Sequence, residues 1–389
     1  MNRLSYQQEI DNGFADWNLG FYFSKPVLKH LVHFTDGILS IGFTGKLTEI
    51  HTASRNENHR TLLGHFLKQG VWNEQFLLGQ TQQHILRKVA KDEPLFVLID
   101  DTICKKTKPS SRAKSPIDAC GFHYSHADGK SVWGHQGVEM MVKSAGRAFP
   151  FDFRLYTKET GESKIQLADD MIRQLPTLKQ TAYVLFDTWY TASSLIKAAR
   201  SKNLHVISAL KSNRIIYPNG IRIQVKEFAA SIQEVDTDLV TVGKATYRVY
   251  RYVGPLSDGT TGTVLLSWTP DQPMDPKLMR CFFSTDATLT SEQILRYYGE
   301  RWSIETYFQT VKKQLGFAGY QIRNERAIRR YWTIVQFTYV FAMYLRDEVF
   351  QIAIRQLRRQ KMGSLIEFVY EECQNGVALD HIKNELQPA

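Results

Sequence analysis

Acidic residues in this 389-residue chain follow two apolar runs of the same design. The segments "LFVLIDDT" and "YVLFDTW" are predicted to be buried strands, and they place Asp100, Asp101 and Asp187 at the strand ends. An acid at a buried strand end has little access to water, so its carboxylate needs a partner, a raised pKa or a metal ion. For each of these acids taken singly, capping of the following turn is the competing interpretation.

A later segment, "YYGERWSIETYFQTVKK" (297–313), is predicted to be helical. Thr290 and Gln293 have the spacing of a capping box that begins a helix, and Gly316 is placed to end it. At about 100° per residue, one arc of roughly 60° holds a polar row of Tyr298, Arg301, Glu305 and Lys312. A solvent-exposed face with an i,i+4 pair between Arg301 and Glu305 is the competing interpretation.

Taken together, the acids favour a shared site. The alternation of strands and helices over 94–210 predicts a right-handed crossover that brings the two strand ends together, where a helix could present Glu305. Three carboxylates are suitable ligands for Mg²⁺ or Mn²⁺. Two such ions roughly 4 Å apart can activate a water or a 3′-hydroxyl and stabilise the leaving oxygen of a phosphodiester. The donors of the polar row would then hold phosphate.

The polar row resembles the Tyr-Arg-Glu-Lys signature of bacterial insertion-sequence transposases of the DDE, ribonuclease H-like class, in the insertion-sequence-4-like branch. "IDDT" and "LFDTWY" resemble the two Asp motifs of that family, in the same order. The resemblance implies that Asp101, directly before Thr, is the first metal ligand and Asp100 a neighbour, with Asp187 and Glu305 completing the set. It covers roughly residues 94–330.

The resemblance also implies a fold, an activity and partners. The fold would be α/β, a ribonuclease H-like catalytic core interrupted by a β-rich insertion, with helical N-terminal and C-terminal regions. The activity would be cut-and-paste transposition, with two Mg²⁺ or Mn²⁺ ions per site acting on terminal inverted repeats and target DNA held by a homodimer. In relatives, an aromatic side chain in or near the insertion stacks on a flipped base. Trp268 is the candidate here, and a Trp buried in the sheet is the competing interpretation.

The pattern along the chain predicts five regions. Two helical ones are a DNA-binding region over 1–90 and a dimerisation or DNA-contacting region over 331–389. Between them lie the first part of the core (91–210), the β-rich insertion (211–285) and the core helix with the polar row (286–330).

Composition agrees with a polyanionic partner. The chain has 49 Lys and Arg residues against 39 acids, a formal net charge of +10, and a pI of about 9.2. Lys105 and Lys106, in the basic segment 105–116 beside Asp101, are candidate phosphate contacts, and a solvated loop is the alternative. Four Cys do not make a disulfide framework, and neither a signal peptide nor a membrane span is predicted. We expect a cytoplasmic protein associated with the bacterial nucleoid.

A zinc site and other functional classes are further hypotheses at this point. Cys104, Cys120, His123 and His126 could supply zinc ligands, but their spacing is not that of a standard finger, so loop residues near the active site are favoured. The alternatives to a transposase are a domesticated ribonuclease H-like DNA-binding protein and a nuclease without strand transfer. A glycosidase with paired carboxylates would suit the acids but not the basic charge.

Overall fold

The computed structural model of the chain describes residues 6–53, 60–111 and 116–386. The amino-terminal part consists of helices α1 Gln7–Asp16, α2 Lys25–Leu39, α3 Leu47–Ala53, α4 Thr61–Gln69 and α5 Glu74–Lys88. Their apolar faces are buried, which is typical of amphipathic helices that pack on a common core. The helical N-terminal region predicted from the sequence is therefore present.

The central part contains the strands that carry the two Asp motifs. Its elements are β1 Leu95–Lys105, β2 Gly121–Ser125, β3 Lys130–Ser144, β4 Arg147–Tyr156, α6 Lys164–Gln174, β5 Ala182–Phe186, α7 Ser193–Ser201 and β6 His205–Leu210. Residues 95–99 of β1 and all of β5 are buried, as expected for strands that are covered on both faces.

The remaining elements are a β-rich segment and a helical carboxyl-terminal part. The first comprises β7 Ile215–Ile216, β8 Ile223–Gln224, α8 Val225–Ala229, β9 Asp238–Val242, β10 Ala245–Pro255, β11 Thr261–Trp268 and β12 Arg280–Ser284. The second comprises α9 Ser291–Gly299, α10 Trp302–Gln314, α11 Glu325–Arg346, α12 Phe350–Gln374 and α13 Leu379–Leu386.

One mixed sheet joins the core to the β-rich segment. Its order is β2-β3-β1-β5-β6-β12-β11-β10-β9, with β4 paired to β3. The strand β1 runs antiparallel to β3 and parallel to β5, so the carboxyl ends of β1 and β5 lie at the same edge. Because β12 pairs with β6, strands β9 to β12 of the insertion predicted over 211–285 lengthen the central sheet, while β7 and β8 pair as a separate two-stranded sheet.

The long helix α11 lies at the centre of the molecule and is buried along most of its length. Its Arg330 is fully buried and donates hydrogen bonds to the carbonyl oxygens of Phe66, Leu67, Gly70 and Trp72, and it pairs with Glu74 at 3.1 Å. These carbonyls belong to the last turn of α4 and the residues just after it, where a helix leaves oxygens without partners. Arg330 thereby fastens the amino-terminal helices to the core.

The fold is α/β with a central mixed sheet and helical terminal regions, as predicted. Two details of the prediction were wrong. The strand β1 continues to Lys105, beyond the predicted end at 102, because β3 begins at Lys130 and pairs with this extension. The short strand β2 was not predicted. Among the described residues, the helices are too short or too polar for any of them to span a membrane.

Candidate active site

The two Asp motifs meet at the carboxyl edge of the sheet. The last paired positions of β1 and β5 are Leu98 and Leu185, so Asp100 and Asp187 each follow a matched pair by two residues. Burial, followed by the negative charges of Asp187 and Asp101, raises the pKa of Asp100 to about 7. This repulsion shows that the acids of the two motifs are close enough to interact.

Asp100 and Asp101 point to opposite faces of the sheet, because neighbouring side chains alternate along a strand. Asp100 faces the start of α10, and its Oδ2 lies 3.0 Å from Arg301 Nη1. Asp101 faces α6, and its Oδ2 accepts from Lys164 Nζ at 2.6 Å and from the hydroxyl of Tyr190 at 3.0 Å.

The other oxygen of Asp101 is also engaged. Its Oδ1 accepts a hydrogen bond from the side-chain amide of Gln136 on β3. Asp187 uses its Oδ1 to accept from the backbone N–H groups of Trp189 and Tyr190, at 2.9 and 3.1 Å. Asp187 therefore caps its own turn, the competing interpretation of the sequence, while also lining the cavity that Asp100 and Asp101 share.

The polar row does not lie on one continuous helix, contrary to the prediction. The capping box of Thr290 and Gln293 is present, and Gly316 ends α10 with φ of 61°. Between α9 and α10, however, the N–H groups of Glu300 and Arg301 bond to carbonyls three residues back, which tightens the turn directly after Gly299. Tyr298 therefore belongs to α9, while Glu305 belongs to α10.

Arg301 is the central cation of this region. It bonds to Asp100 and to Glu305, so the guanidinium bridges the central strand and the acid of the polar row. The buried Nε of Arg301 has no hydrogen-bond partner among the described residues. The i,i+4 pair that the sequence suggested is present, but it is half-buried beside β1 and does not lie on an open surface.

The two outer members of the polar row are largely covered. Lys312 Nζ donates to Thr102 Oγ1 at 2.6 Å and to the carbonyl oxygen of Ile103 at 3.0 Å, and burial lowers its pKa. The ring of Tyr298 packs 4.9 Å from that of Phe282, and burial raises its pKa. Both side chains are therefore supported by β1 or β12, close to the acids.

Two cavities are lined by residues of the candidate site. The first, of 720 Å³, contains Asp100, Asp101, Asp128 and Asp187, and its lysines are Lys105, Lys158, Lys164 and Lys312. The second, of 970 Å³, lies between the insertion and the α9–α10 junction. Its charged residues are all basic: Lys211, Lys226, Arg280, Arg296 and Arg301. The second cavity therefore suits a polyanion, whereas acids and lysines balance in the first.

The basic segment beside Asp101 is only partly available to a ligand. Lys105 forms an ion pair with Asp128 at 2.7 Å. Lys106 donates to the carbonyl oxygens of Ala318 and Tyr320, lies 3.4 Å from the centre of the Tyr320 ring, and has a pKa that burial lowers to about 8. The structure thus gives Lys106 a role in packing, which disfavours it as a DNA contact. Residues 112–115 of this segment lie outside the described residues.

Trp268 is a sheet-core residue, so its expected stacking role is not supported. Its side chain is 1% exposed, and its indole N–H donates to the carbonyl oxygen of Asp275 at 3.2 Å. The exposed tryptophans near the acids are Trp302, at 61%, and Trp189, at 44%. A ring must offer a free face to stack on a base, which Trp302 does and Trp268 does not.

The residues considered for zinc are engaged elsewhere or dispersed. Cys104 is buried, and its thiol lies 3.8 Å from the carbonyl oxygen of Phe317. Neighbouring His135 uses both ring nitrogens, one toward the carbonyl oxygen of Asp118 and one toward the hydroxyl of Tyr320. Over residues 6–53, 60–111 and 116–386, no three His, Cys, Asp or Glu side chains are grouped as metal ligands. The active-site carboxylates have suitable chemistry, but Arg301 and Lys164 occupy them in this arrangement.

Sequence reasoning missed Lys164, Tyr190 and Gln136, which surround Asp101. Tyr190 lies within the quoted motif "LFDTWY", three residues after Asp187, and could have been suspected from that position. Lys164 follows Ser163, whose capping box with Gln166 begins α6, but only the tertiary fold brings this helix end to Asp101.

Comparison with known proteins agrees with the geometry. Residues 91–341, well over half of the chain, match the family described as the transposase DDE domain. A search of the curated proteins finds no match to the chain. The matched range contains both Asp motifs, the insertion and the polar row. This chain belongs to the transposase DDE domain family.

Proposed function

We propose that this protein is a DNA transposase that cuts DNA ends and joins them to a target in a metal-dependent, cut-and-paste reaction. Membership of the family implies an enzyme of the polynucleotidyl transferase or nuclease class that acts on DNA. The supporting observation is the arrangement of acids at the sheet edge. Asp100 and Asp101 lie in β1 just past its last pairing with β5, Asp187 directly follows β5, and Arg301 bonds to both Asp100 and Glu305.

Asp101, Asp187 and Glu305 are the residues that would hold divalent ions, as the resemblance to the insertion-sequence branch implies. Enzymes of this family generally depend on divalent metals. Bound Mg²⁺ or Mn²⁺ would supply the activation of a water or 3′-hydroxyl and the charge that stabilises the leaving oxygen. The protein contributes the carboxylates, their placement on rigid strands, and cations that balance them before the substrate binds.

Arg301 is suited to hold the scissile phosphate. Its Nε donor is buried without a partner among the described residues, an arrangement that costs free energy unless an acceptor or a water arrives. Guanidinium groups bind phosphate through paired N–H donors, and Arg301 lines the cavity whose charged residues are all basic. DNA backbone lying in that cavity would bring a phosphate beside this guanidinium.

Trp302 is the stacking residue in this proposal. It directly follows Arg301, is 61% exposed, and lines the second cavity together with five cations. An unpaired base beside the cleavage point could stack on its ring while the cations hold the adjoining phosphates. This assignment replaces the expectation for Trp268.

The protein is proposed to act as a homodimer that holds two DNA ends. Met362, Ile366 and Tyr370 are spaced four residues apart on α12, so they share one face of the helix, and they are 45%, 63% and 64% exposed. Exposed apolar rows of this kind are typical of helix–helix interfaces. Light scattering of the protein with and without end DNA would measure the oligomeric state, and a monomer in both samples would contradict the dimer.

The test uses labelled duplexes that carry the inverted repeats flanking the gene. Asp101→Asn, Asp187→Asn and Glu305→Gln remove a negative charge and nearly preserve shape. We expect Mg²⁺- or Mn²⁺-dependent nicking to fall by about a thousandfold or more, while DNA binding persists through the basic 970 Å³ cavity. Wild-type nicking in the Asp187 or Glu305 variant would refute the three-carboxylate site.

Asp100→Asn tests which acid of the pair is the ligand. We expect it to keep more activity than Asp101→Asn, because the resemblance assigns the ligand to the Asp before Thr. Loss of nicking in the Asp100 variant, with nicking retained in the Asp101 variant, would reverse the assignment.

A second assay separates a transposase from a simple nuclease. A duplex with a pre-exposed 3′-hydroxyl end is incubated with a supercoiled plasmid as target. A transposase joins the two molecules, whereas a nuclease without strand transfer gives only hydrolysis products.

A further inference from the structure

Lys164 forms an ion pair in the candidate active site that neither the two Asp motifs nor the polar row includes. Its ammonium lies 2.6 Å from Asp101 Oδ2, and its side chain is 17% exposed. The capping box of Ser163 and Gln166 fixes the start of α6, and Lys164 is the first residue of that helix. A rigid helix end therefore delivers this ammonium to the acid that is proposed to bind metal.

Asp101 has no oxygen left without a donor. Oδ1 accepts from Gln136, and Oδ2 accepts from both Tyr190 and Lys164. For this carboxylate to bind an ion, at least one donor must move. Tyr190 is 1% exposed and Gln136 is 5% exposed, so packing holds both side chains in place.

Lys164 is the donor that can move. A lysine side chain has four rotatable bonds, and this one reaches into the 720 Å³ cavity. Its ammonium also lies 4.1 Å from the centre of the Trp189 ring, a contact that can hold the ammonium after it leaves the carboxylate. A divalent cation at Asp101 would repel the ammonium that lies 2.6 Å from the same carboxylate, whereas a DNA phosphate in the cavity would attract it.

We propose that Lys164 is a substrate-positioning residue that exchanges Asp101 for a phosphodiester oxygen of the DNA when the carboxylate takes up a divalent ion. This inference rests on the metal-dependent function proposed above. Before that exchange, Lys164 compensates the charge of Asp101 and competes with metal. After it, the same ammonium neutralises a phosphate in the cavity.

The first measurement is Mn²⁺ binding to the DNA-free protein. Binding is detected as the loss of the electron paramagnetic resonance signal of the free ion. Lys164→Met removes the competing charge with little change in length, so Mn²⁺ should bind about fivefold tighter, the ratio expected for loss of one partly screened ion pair. Lys158→Met is the matched control, because Lys158 lines the same cavity, and its Mn²⁺ affinity should equal that of the wild type. Thermal melting without metal checks that each variant is folded.

The second measurement is binding of labelled end DNA in Ca²⁺ at several salt concentrations. Lys164→Met should bind DNA more weakly, and the slope of log affinity against log salt should be shallower by about 0.9, the value for one lost phosphate contact. Lys164→Arg should restore the wild-type slope, because it keeps the charge.

The outcomes separate this inference from the proposed function. Unchanged or weaker Mn²⁺ binding by folded Lys164→Met, or an unchanged slope of log DNA affinity against log salt, would contradict the proposed exchange of Lys164. Either result would leave the proposed metal site unaffected. Absence of Mn²⁺ binding by the wild type and by Asp101→Asn alike overturns the proposed metal site itself. Tighter Mn²⁺ binding together with a shallower salt slope supports the exchange.

Discussion

The guanidinium of Arg301 lies 3.0 Å from Asp100 Oδ2, so a residue at the start of α10 is tied to strand β1 of the sheet. The same guanidinium pairs with Glu305, one turn further along the helix. Asp100 thus positions the acid of the polar row without itself needing to bind metal. Asp100 and Arg301 are 201 residues apart in the sequence, so only the tertiary fold brings them together.

Replacement of Arg301 tests this bridge. Arg301→Lys keeps the charge, but a single ammonium cannot span two carboxylates in the way a planar guanidinium does. We expect single-turnover nicking to fall by about 10- to 100-fold, with DNA affinity reduced much less. Arg173→Lys is the control, because Arg173 also pairs with an acid one helical turn away, Asp169, but lies exposed on α6. Equal activities of the two variants would argue against a positioning role for Arg301.

The two tryptophans near the insertion should behave differently. Trp268→Ala removes a buried ring and should destabilise the fold by about 3–5 kcal/mol in thermal or chemical unfolding. Trp302→Ala removes an exposed ring and should leave stability unchanged within about 0.5 kcal/mol. We expect Trp302→Ala to bind linear end DNA normally but to process the second strand slowly. Normal processing by Trp302→Ala would remove it from the stacking role.

Arg330 should contribute strongly to stability because it supplies donors to carbonyls through buried hydrogen bonds. Arg330→Met leaves these oxygens unsatisfied, and we expect the protein to lose about 3 kcal/mol or more of its free energy of unfolding. The neighbouring Arg329 is 44% exposed and pairs with Glu325, so Arg329→Met should cost under about 1 kcal/mol. Similar midpoints for the two variants in thermal unfolding would contradict the fastening role of Arg330.

His84 should make the fold sensitive to acid. Its ring stacks on Trp17 at 4.1 Å and meets Tyr344 edge-on at 5.1 Å, and burial lowers its pKa from 6.5 to about 4. Between pH 6.5 and 4, His84 is therefore protonated in the unfolded chain but mostly neutral in the folded protein. The free energy of unfolding consequently falls as the pH drops through this window. His84→Phe keeps a ring without the titration.

The wild type should lose about 1–2 kcal/mol more than the His84→Phe variant between pH 7 and pH 4.5, after allowance for partial exposure of the ring. Thermal unfolding of both proteins across this range measures the difference. Parallel pH profiles for the two proteins would show that folding does not lower the pKa of His84.

Several features of this protein were predictable from its sequence because they depend on local patterns. Buried strands appear in the sequence as apolar runs. The runs in β1 and β5, and the acids that follow each run, could therefore be recognised. The capping box at Thr290 and the stop at Gly316 involve residues a few positions apart, and both are present. The family, the fold class and the candidate acids all follow from such motifs in order.

The tertiary structure decided how these pieces meet. Whether Trp268 is buried depends on residues packed around it, and whether Lys106 is available depends on carbonyls more than 200 positions away. The alternation of a strand is local, but which face of β1 meets α10 and which meets α6 depends on long-range packing. That packing gives Asp100 its Arg301 and Asp101 its Lys164, because ion pairs between distant segments form only when the chain has folded.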